Sequence, residues 1–157
     1  MANYKRLFLN GYSYYFTIVT YQRNPILIDN IELLRESFKY AKSKFSFSIE
    51  AIVVMPEHLH MIINVKNAKD YPKIISSMKR YFSKNCDPKF YEDILQSHHR
   101  EKYGYKPVWQ KRFYEHAIRD EEDYNTKLQY IYNNPVKHGY VDSIYDWKYS
   151  SLNFKNS

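Results

Sequence analysis

Two histidines separated by one residue are the side chains with the clearest chemical potential in this sequence. His58 and His60 follow a Pro56-Glu57 break and begin a stretch that predicts a β-strand. Side chains at i and i+2 of a strand point to the same face, so the two imidazoles would project side by side while Leu59 faces the core. Imidazole is the commonest metal ligand among side chains. The pair therefore predicts two ligands of a metal site; the alternative is a polar strand face that carries two histidines by chance.

A tyrosine and an asparagine near the end of the last predicted helix could complete such a site. Tyr130 and Asn134 are four residues apart, which places them within ~40° of each other on one helix face. A phenol with a pKa of about 10 is a poor nucleophile at neutral pH, but a cation that withdraws charge from a phosphate makes its attack feasible. The Asn134 amide could give that cation an oxygen ligand. In the structural alternative, Tyr130 lines a sheet–helix contact and Asn134 is a C-terminal cap before Pro135.

Two further tyrosines on the same helix are rival nucleophiles. Tyr132 lies ~200° around the helix from Tyr130, and Tyr124 lies ~120° away in the opposite sense. Neither therefore shares the face of Asn134. A set of two imidazoles and one amide oxygen suits Mn²⁺, whereas zinc is disfavoured because no Cys ligand or His-Glu-x-x-His motif accompanies the pair.

These residues need a sheet and helices to position them, and the hydrophobic periodicity predicts both. Strands are indicated at 12–21, 47–55 and 58–65, with one or two more within 108–118; helices are indicated from Ile31 to Phe45, after Asp70 and Pro72, and from Asp120 until Asn134-Pro135 stops the last one. Residues 85–107 are polar and predict an inserted loop or lid, with His98 and His99 as loop residues rather than ligands. The order predicts an α+β fold with helices packed on an antiparallel sheet, a ferredoxin-like sandwich. We expect one domain over residues 1–157.

Composition narrows the class of protein. The chain has 157 residues, a net charge of +7, 18 tyrosines and a single cysteine, Cys86. One cysteine excludes a disulfide framework, so a reducing cytosol is expected. No apolar run approaches the ~20 residues of a membrane span, and the first residues, Met-Ala-Asn-Tyr-Lys-Arg, do not resemble a signal peptide. Cations beside aromatic side chains suit single-stranded nucleic acid; the alternative is a basic protein that builds its sheet from tyrosine.

The excess positive charge is concentrated on the second predicted helix. Lys66–Lys84 contains six cations and one anion, and the helical period places Lys73, Arg80 and Lys84 within about 40° of one another. These three could follow a DNA backbone, although a solvated helix face is the plainer interpretation. Other candidate DNA contacts are Trp109 and Arg112, for unpaired bases, and Lys137, which follows the predicted nucleophile's helix. Trp109 could instead be a core residue.

Three stretches resemble the REP-associated tyrosine transposases, relatives of the single-tyrosine insertion-sequence transposases in the HUH superfamily. They are Val53–Ile63 (VVMPEHLHMII), Val108–Arg119 (VWQKRFYEHAIR) and Tyr130–Gly139 (YIYNNPVKHG), followed by Asp146-Trp147-Lys148-Tyr149-Ser150-Ser151. The similarity runs over nearly the whole chain and keeps the order of the elements. The segment 85–107 is longer than is usual for the family. If it contacts the hairpin, it would alter the preference for substrate.

The resemblance implies a role for each site residue. His58 and His60 match the family's metal-binding pair, Tyr130 its nucleophile, and Asn134 the polar residue that completes the metal site, with Mg²⁺ or Mn²⁺ as the cation. The implied activity is cleavage of single-stranded DNA beside imperfect-palindrome hairpins through a 5′-phosphotyrosine link, with strand joining as the reverse reaction. The implied partner is single-stranded or hairpin DNA in a prokaryotic cytoplasm, near the nucleoid, without a membrane. Monomer and homodimer both stay open.

Two other functions fit the same residues. A domesticated relative could bind hairpin DNA without cutting it, and an RNA-binding module could use an aromatic four-stranded sheet. The glycine- and aromatic-containing signature of RNA-recognition domains is missing from the sequence. Transesterification exchanges one phosphodiester for another without ATP, and no glycine-rich phosphate loop is present among only three glycines.

Overall fold

A computed structural model describes residues 12–156 of the chain. The strands are β1 (Tyr12–Val19), β2 (Phe47–Val54), β3 (His58–Val65) and β4 (Tyr114–Ala117). The α-helices are α1 (Ile31–Lys44), α2 (Tyr71–Asn85), α3 (His98–Lys102) and α4 (Glu121–Lys137). Short 3₁₀ segments occupy Tyr21–Arg23, Ala68–Asp70, Pro88–Phe90, Ile144–Asp146 and Ser151–Asn156. The first residues, Met-Ala-Asn-Tyr-Lys-Arg, in which the sequence shows no signal peptide, lie outside the described residues.

The four strands form one antiparallel sheet in the order β2-β3-β1-β4. With α1 between β1 and β2, and α2 between β3 and β4, this is the strand order of a ferredoxin-like βαββαβ sandwich. The prediction of an α+β fold with helices on an antiparallel sheet is confirmed. None of the helices in the described part of the chain has the length and apolar character needed to cross a bilayer.

Strand alternation divides the core between the two faces of the sheet. Leu59, Met61 and Ile63 of β3 belong to the larger apolar cluster, which α1 and α2 cover. Ile62 belongs to a smaller cluster with Ile131 of α4 on the opposite face. Because His58 and His60 have the parity of Ile62, they lie on the face that α4 covers. The period-two pattern of one strand thus brings the histidines under the helix that carries Tyr130 and Asn134.

The last helix extends past the proline that was expected to stop it. Pro135 lies inside α4, which continues to Lys137. Proline removes one backbone donor, but the next turn still closes, because the His138 N–H donates to the Asn134 carbonyl at 3.0 Å. Asn134 is therefore an internal, buried helix residue and not a C-terminal cap.

The segment 85–107 is more ordered than predicted. It contains the 3₁₀ segment Pro88–Phe90 and the helix α3, at whose start the Ser97 hydroxyl accepts a hydrogen bond from the Arg100 N–H. His98 and His99 are therefore helical and not loop residues. The region 108–118 forms one short strand, β4, together with an isolated bridge between Trp109 and Thr20. The C-terminal residues pack on β2, where the Trp147 indole N–H donates to the Val54 carbonyl at 3.0 Å.

Candidate active site

His58 is the first residue of β3 and is held by a carboxylate. Its Nδ1 lies 2.7 Å from Oε1 of Glu57, the residue before it. A carboxylate only accepts hydrogen bonds, so Nδ1 carries the imidazole proton and Nε2 presents its lone pair. Nε2 in turn lies 3.3 Å from Oδ1 of Asn134. In metal sites, the histidine nitrogen that does not bind the metal (the outer nitrogen, here Nδ1) commonly donates to a carboxylate, and this contact orients the ring.

His60 is held in the same way by two hydroxyl groups of the neighbouring strand β1. Its Nδ1 lies 2.8 Å from the Tyr15 hydroxyl and 2.9 Å from the Thr17 hydroxyl. The register sets Thr17 directly opposite His60 in the antiparallel pair, and Tyr15 shares the same face two residues earlier. Both hydroxyls can accept a hydrogen bond from Nδ1, and in that tautomer the Nε2 lone pair of His60 is available to a ligand. The two imidazole rings are 4.8 Å apart and nearly perpendicular.

Burial keeps both imidazoles neutral. It lowers the pKa of His58, although the hydrogen bond with Glu57 opposes the shift, and it lowers the pKa of His60 to about 3, with a further contribution from the neighbouring His58. Burial also raises the pKa of the Tyr15 phenol to about 12, so this hydroxyl stays protonated beside His60. Neutral imidazole is the form that binds a metal ion.

Asn134 brings an oxygen to this pair from α4. The residue is fully buried, and its Nδ2 has no hydrogen-bond partner among the described residues. Its Oδ1 faces the lone pair of His58 Nε2, so two acceptors point at each other across 3.3 Å. Such a pair is unfavourable unless a proton or a cation lies between its members. Three atoms with free lone pairs are therefore available as ligands for a cation: His58 Nε2, His60 Nε2 and Asn134 Oδ1. They are carried by a β-strand and an α-helix, which are rigid elements.

Tyr130 lies beside this set and is open to solvent. Its ring is 5.3 Å from the His60 ring and 6.3 Å from the Tyr15 ring, and the residue is 40% exposed. Lys137 places its Nζ 5.1 Å from the centre of the Tyr130 ring. The convergence of strand and helix that the sequence predicts is therefore present.

The rival tyrosines of the same helix point elsewhere. Tyr132 and Tyr124 pack against the smaller apolar cluster. Burial, together with nearby Glu50, raises the pKa of Tyr124 to about 12. Among the three tyrosines of α4, Tyr130 alone has a ring contact with His60 in the described part of the chain.

Several residues of the site were not found from the sequence. Glu57, Tyr15 and Thr17 hold the outer nitrogens of the histidines, and the His138 ring lies 5.6 Å from the His58 ring at the end of α4. The sequence did carry one signal for two of these residues. Tyr15 and Thr17 are two positions apart on one predicted strand, so their side chains share a face. No group of three or more His, Cys, Asp or Glu side chains that could hold a metal occurs in residues 12–156, so the candidate set depends on the Asn134 amide.

Three of the other predicted DNA contacts lie on the opposite face of the sheet from the histidine pair. Lys73, Arg80 and Lys84 are exposed on α2, which packs on the opposite face of the sheet from α4, and Arg112 is exposed before β4. Trp109 is 5% exposed and packs edge-on against Phe82 in the larger cluster, with ring centres 5.1 Å apart. The indole is therefore a core residue, and the base-stacking role predicted for it is not retained.

Comparisons with known proteins give the chain clear relatives. A family model described as "Transposase IS200 like" matches residues 9–134. The chain is 39% identical over 154 residues to a Haemophilus influenzae protein provisionally named a REP-associated tyrosine transposase, covering 97% of this chain and 86% of that protein. It is 33% identical over 154 residues to the REP-associated tyrosine transposase of Escherichia coli, covering 97% and 83%. A solved structure of a REP-associated tyrosine transposase bound to a REP hairpin superposes with a TM-score of 0.72 at 32% identity, covering 97% of this chain and 83% of that one.

Proposed function

Because the chain belongs to the IS200-like transposase family, among the REP-associated tyrosine transposases, we propose that it cleaves and rejoins single-stranded DNA beside hairpins with Tyr130 as the nucleophile. The observation that carries the proposal is the position of this exposed phenol, whose ring lies 5.3 Å from that of His60. The relative solved with a REP hairpin supports hairpin DNA as the partner of this chain.

The residues at the site fit a divalent cation, Mg²⁺ or Mn²⁺. His58, His60 and Asn134 would hold it, because the two imidazole rings lie 4.8 Å apart and Asn134 Oδ1 lies 3.3 Å from His58 Nε2. Glu57 holds Nδ1 of His58, and Tyr15 and Thr17 hold Nδ1 of His60. A cation held by His58 Nε2 and Asn134 Oδ1 would remove the repulsion between these two acceptors. Two imidazoles and an amide oxygen leave coordination positions open for phosphate oxygens. When bound, the cation supplies Lewis-acid stabilisation of the negative charge that develops on the phosphate.

The side chains of the chain itself perform the covalent step. The Tyr130 oxygen attacks the scissile phosphorus, the bond from phosphorus to the 3′ oxygen breaks, and that oxygen takes up a proton as the tyrosine loses its own. The products are a 5′-phosphotyrosine and a free 3′-hydroxyl, and the reverse reaction joins strands. One phosphodiester replaces another, so the step needs no ATP. Lys137, with Nζ 5.1 Å from the Tyr130 ring centre, favours the negative charge that builds on the phenol oxygen and the phosphate.

The test compares two phenylalanine variants on the same helix. Tyr130→Phe removes the attacking oxygen and leaves the ring, so it should bind a hairpin with an unpaired flank as the wild type does and form no covalent protein–DNA adduct on a denaturing gel. Tyr132→Phe is the matched control and should form the adduct at the wild-type level. An adduct that survives Tyr130→Phe contradicts the assignment of the nucleophile. Wild-type protein that binds the hairpin and yields no adduct with Mg²⁺ or Mn²⁺ supports the non-catalytic alternative.

A further inference from the structure

A second group of side chains meets around Tyr15, next to the candidate active site. The Tyr114 ring of β4 lies 6.1 Å from the Tyr15 ring and steeply inclined to it, and Lys127 Nζ of α4 lies 5.6 Å from the centre of the same ring. The Tyr130 ring lies 6.3 Å from Tyr15. The proposed chemistry uses neither Tyr114 nor Lys127. We call these two residues, together with the buried Tyr15 ring that both contact, the lateral site.

The register of the sheet places the lateral site in line with the histidine pair. Thr17 of β1 pairs with His60 on one side and with Tyr114 on the other, so these three side chains form one row on one face of the sheet. Two strand spacings, roughly 10 Å in total, separate the ends of this row. Tyr130 lies along it, because its ring is near those of His60 and Tyr15. A DNA strand with its scissile phosphate at Tyr130 can therefore bring a neighbouring nucleotide to Tyr114.

Lys127 carries a charge that the protein itself leaves unpaired. An acidic residue four positions before a lysine is the favoured ion-pair partner on a helix, and Lys127 has Asp123 at that position. Oδ2 of Asp123 instead lies 2.7 Å from His116 Nε2 and accepts a hydrogen bond from the Arg119 N–H at 2.9 Å. Lys127 forms no ion pair with a carboxylate within residues 12–156. An unpaired cation on a half-buried side chain costs free energy, and an anionic partner reduces that cost.

Tyr114 supplies an exposed aromatic surface next to this charge. The residue is 55% exposed. Aromatic rings beside cations bind unpaired strands, because a base stacks on the ring and a phosphate pairs with the cation. We propose, resting on the function proposed above, that the lateral site holds the nucleotide next to the scissile phosphate, with its base on the Tyr114 ring and its phosphate on Lys127. Two contacts on one nucleotide align the strand for attack by the neighbouring phenol.

The experiment compares two single variants of the lateral site with matched controls elsewhere. Lys127→Met removes the charge and keeps an unbranched apolar chain that packs well on aromatic rings, and Tyr114→Ala removes the exposed ring. Lys44→Met is the control for the first variant, because Lys44 Nζ also lies over a tyrosine ring, 5.5 Å from its centre, on α1. Tyr145→Ala is the control for the second, because Tyr145 is 70% exposed. Thermal unfolding midpoints verify that all four variants fold.

Binding is measured without divalent cation, so that no cleavage occurs, to a hairpin with an unpaired flank and to the blunt hairpin. Lys127→Met should raise the Kd for the flanked hairpin by up to about 5-fold at 0.1 M salt and lower the salt slope by about 0.7, which is the contribution of one single-strand phosphate contact. Tyr114→Ala should raise this Kd by about 5-fold or more, as expected for the loss of one stacked base. Both variants should bind the blunt hairpin like the wild type, and both controls should bind both ligands like the wild type.

Modified flanks then identify the nucleotide that the lateral site holds. A methylphosphonate removes the charge of one phosphate and an abasic sugar removes one base, and each is placed at every flank position in turn. One methylphosphonate that weakens binding by the wild type should have no further effect on Lys127→Met. One abasic sugar, in the same or the adjacent nucleotide, should have no further effect on Tyr114→Ala.

Three results would overturn the proposal: wild-type affinity of both variants for the flanked hairpin, an equal loss on the blunt hairpin, or wild-type sensitivity of the variants at every modified position. Wild-type protein in which no modified position weakens binding would overturn it as well. Wild-type protein that binds the flanked hairpin and forms no adduct with a divalent cation would refute the proposed chemistry and leave this binding result intact.

Discussion

The hydroxyl groups behind His60 allow a quantitative test of how the site is organised. Tyr15 and Thr17 both reach Nδ1 of His60, at 2.8 and 2.9 Å. Either one alone can hold the imidazole proton, so Tyr15→Phe or Thr17→Val should each cost about 1 kcal/mol or less in the free energy of unfolding. Together they leave a buried N–H with no partner, which costs about 1–3 kcal/mol. The double variant should therefore lose more than the sum of the two single variants.

Metal binding should follow the same non-additive pattern. Loss of the group that orients a metal-binding histidine lowers metal affinity by about 10–100-fold, which corresponds to about 1.4–2.7 kcal/mol. Calorimetric titration with Mn²⁺ measures this affinity in the wild type, the single variants and the double variant. Denaturant unfolding of the same proteins without metal measures the change in stability. The single variants, which keep one hydroxyl on Nδ1, should each lose much less affinity than the double variant.

A matched control removes the same two hydroxyl types away from the site. Tyr145→Phe with Thr126→Val changes an exposed tyrosine and an exposed threonine, and this protein should bind Mn²⁺ like the wild type. Wild-type affinity for Mn²⁺ in the Tyr15→Phe/Thr17→Val protein would show that the two hydroxyls do not orient His60 for metal binding. A loss in the double variant equal to the sum of the single losses would show that the two hydroxyls do not substitute for each other.

Three more predictions follow from the same contacts. Burial lowers the pKa of His58 and lowers that of His60 to about 3, whereas both imidazoles protonate near pH 6.5 in the unfolded chain. The unfolding free energy of the metal-free protein should therefore have its full value above about pH 6.5 and fall as the pH drops toward 3. Thermal unfolding at several pH values checks this, and an equally steep profile in His60→Gln would contradict it. Asn134→Asp keeps an oxygen toward His58 and should retain Mn²⁺ binding in calorimetry, whereas Asn134→Ala should lose at least tenfold; equal affinities would remove Asn134 from the metal site. Lys137→Met should slow adduct formation at saturating DNA by about 10-fold or more, measured by single-turnover kinetics, and an unchanged rate would show that Lys137 does not assist the reaction.

The local repeat of residue types along the sequence was enough to predict the strand and the helix that carry the candidate site residues. The strand His58–Val65 has the bounds expected from its pattern, and parity placed both histidines on one face. Helical spacing placed Tyr130 and Asn134 on one side of α4. The structure brings these elements together because the apolar residues of the same strand and helix, Ile62 and Ile131, share one cluster. The chemical roles of these residues stay predictions.

What the sequence could not provide depends on contacts between distant segments. Tyr15 and Thr17 are separated from His60 by 45 and 43 residues, and their meeting requires the register of β1 with β3, which no local pattern specifies. In the sequence, an aromatic residue beside cations such as Trp109 fits both a core position and a role in stacking on DNA bases. Its ring contact with Phe82 shows that it is a core residue. The sequence predicts that α4 ends at Pro135, because the order of residue types does not show that the helical turn after the proline can still form its hydrogen bond.

In the proposed reaction, the Tyr130 oxygen becomes covalently joined to DNA at a cation-dependent site. The most direct measurement incubates the wild-type protein with a hairpin that carries an unpaired flank, with and without Mn²⁺, and maps the modified peptide by mass spectrometry. The expected result is a nucleotide 5′-phosphate on Tyr130 in the presence of Mn²⁺ and no modified peptide without it. A nucleotide attached to another residue, or attachment at Tyr130 in equal yield without a divalent cation, would contradict it.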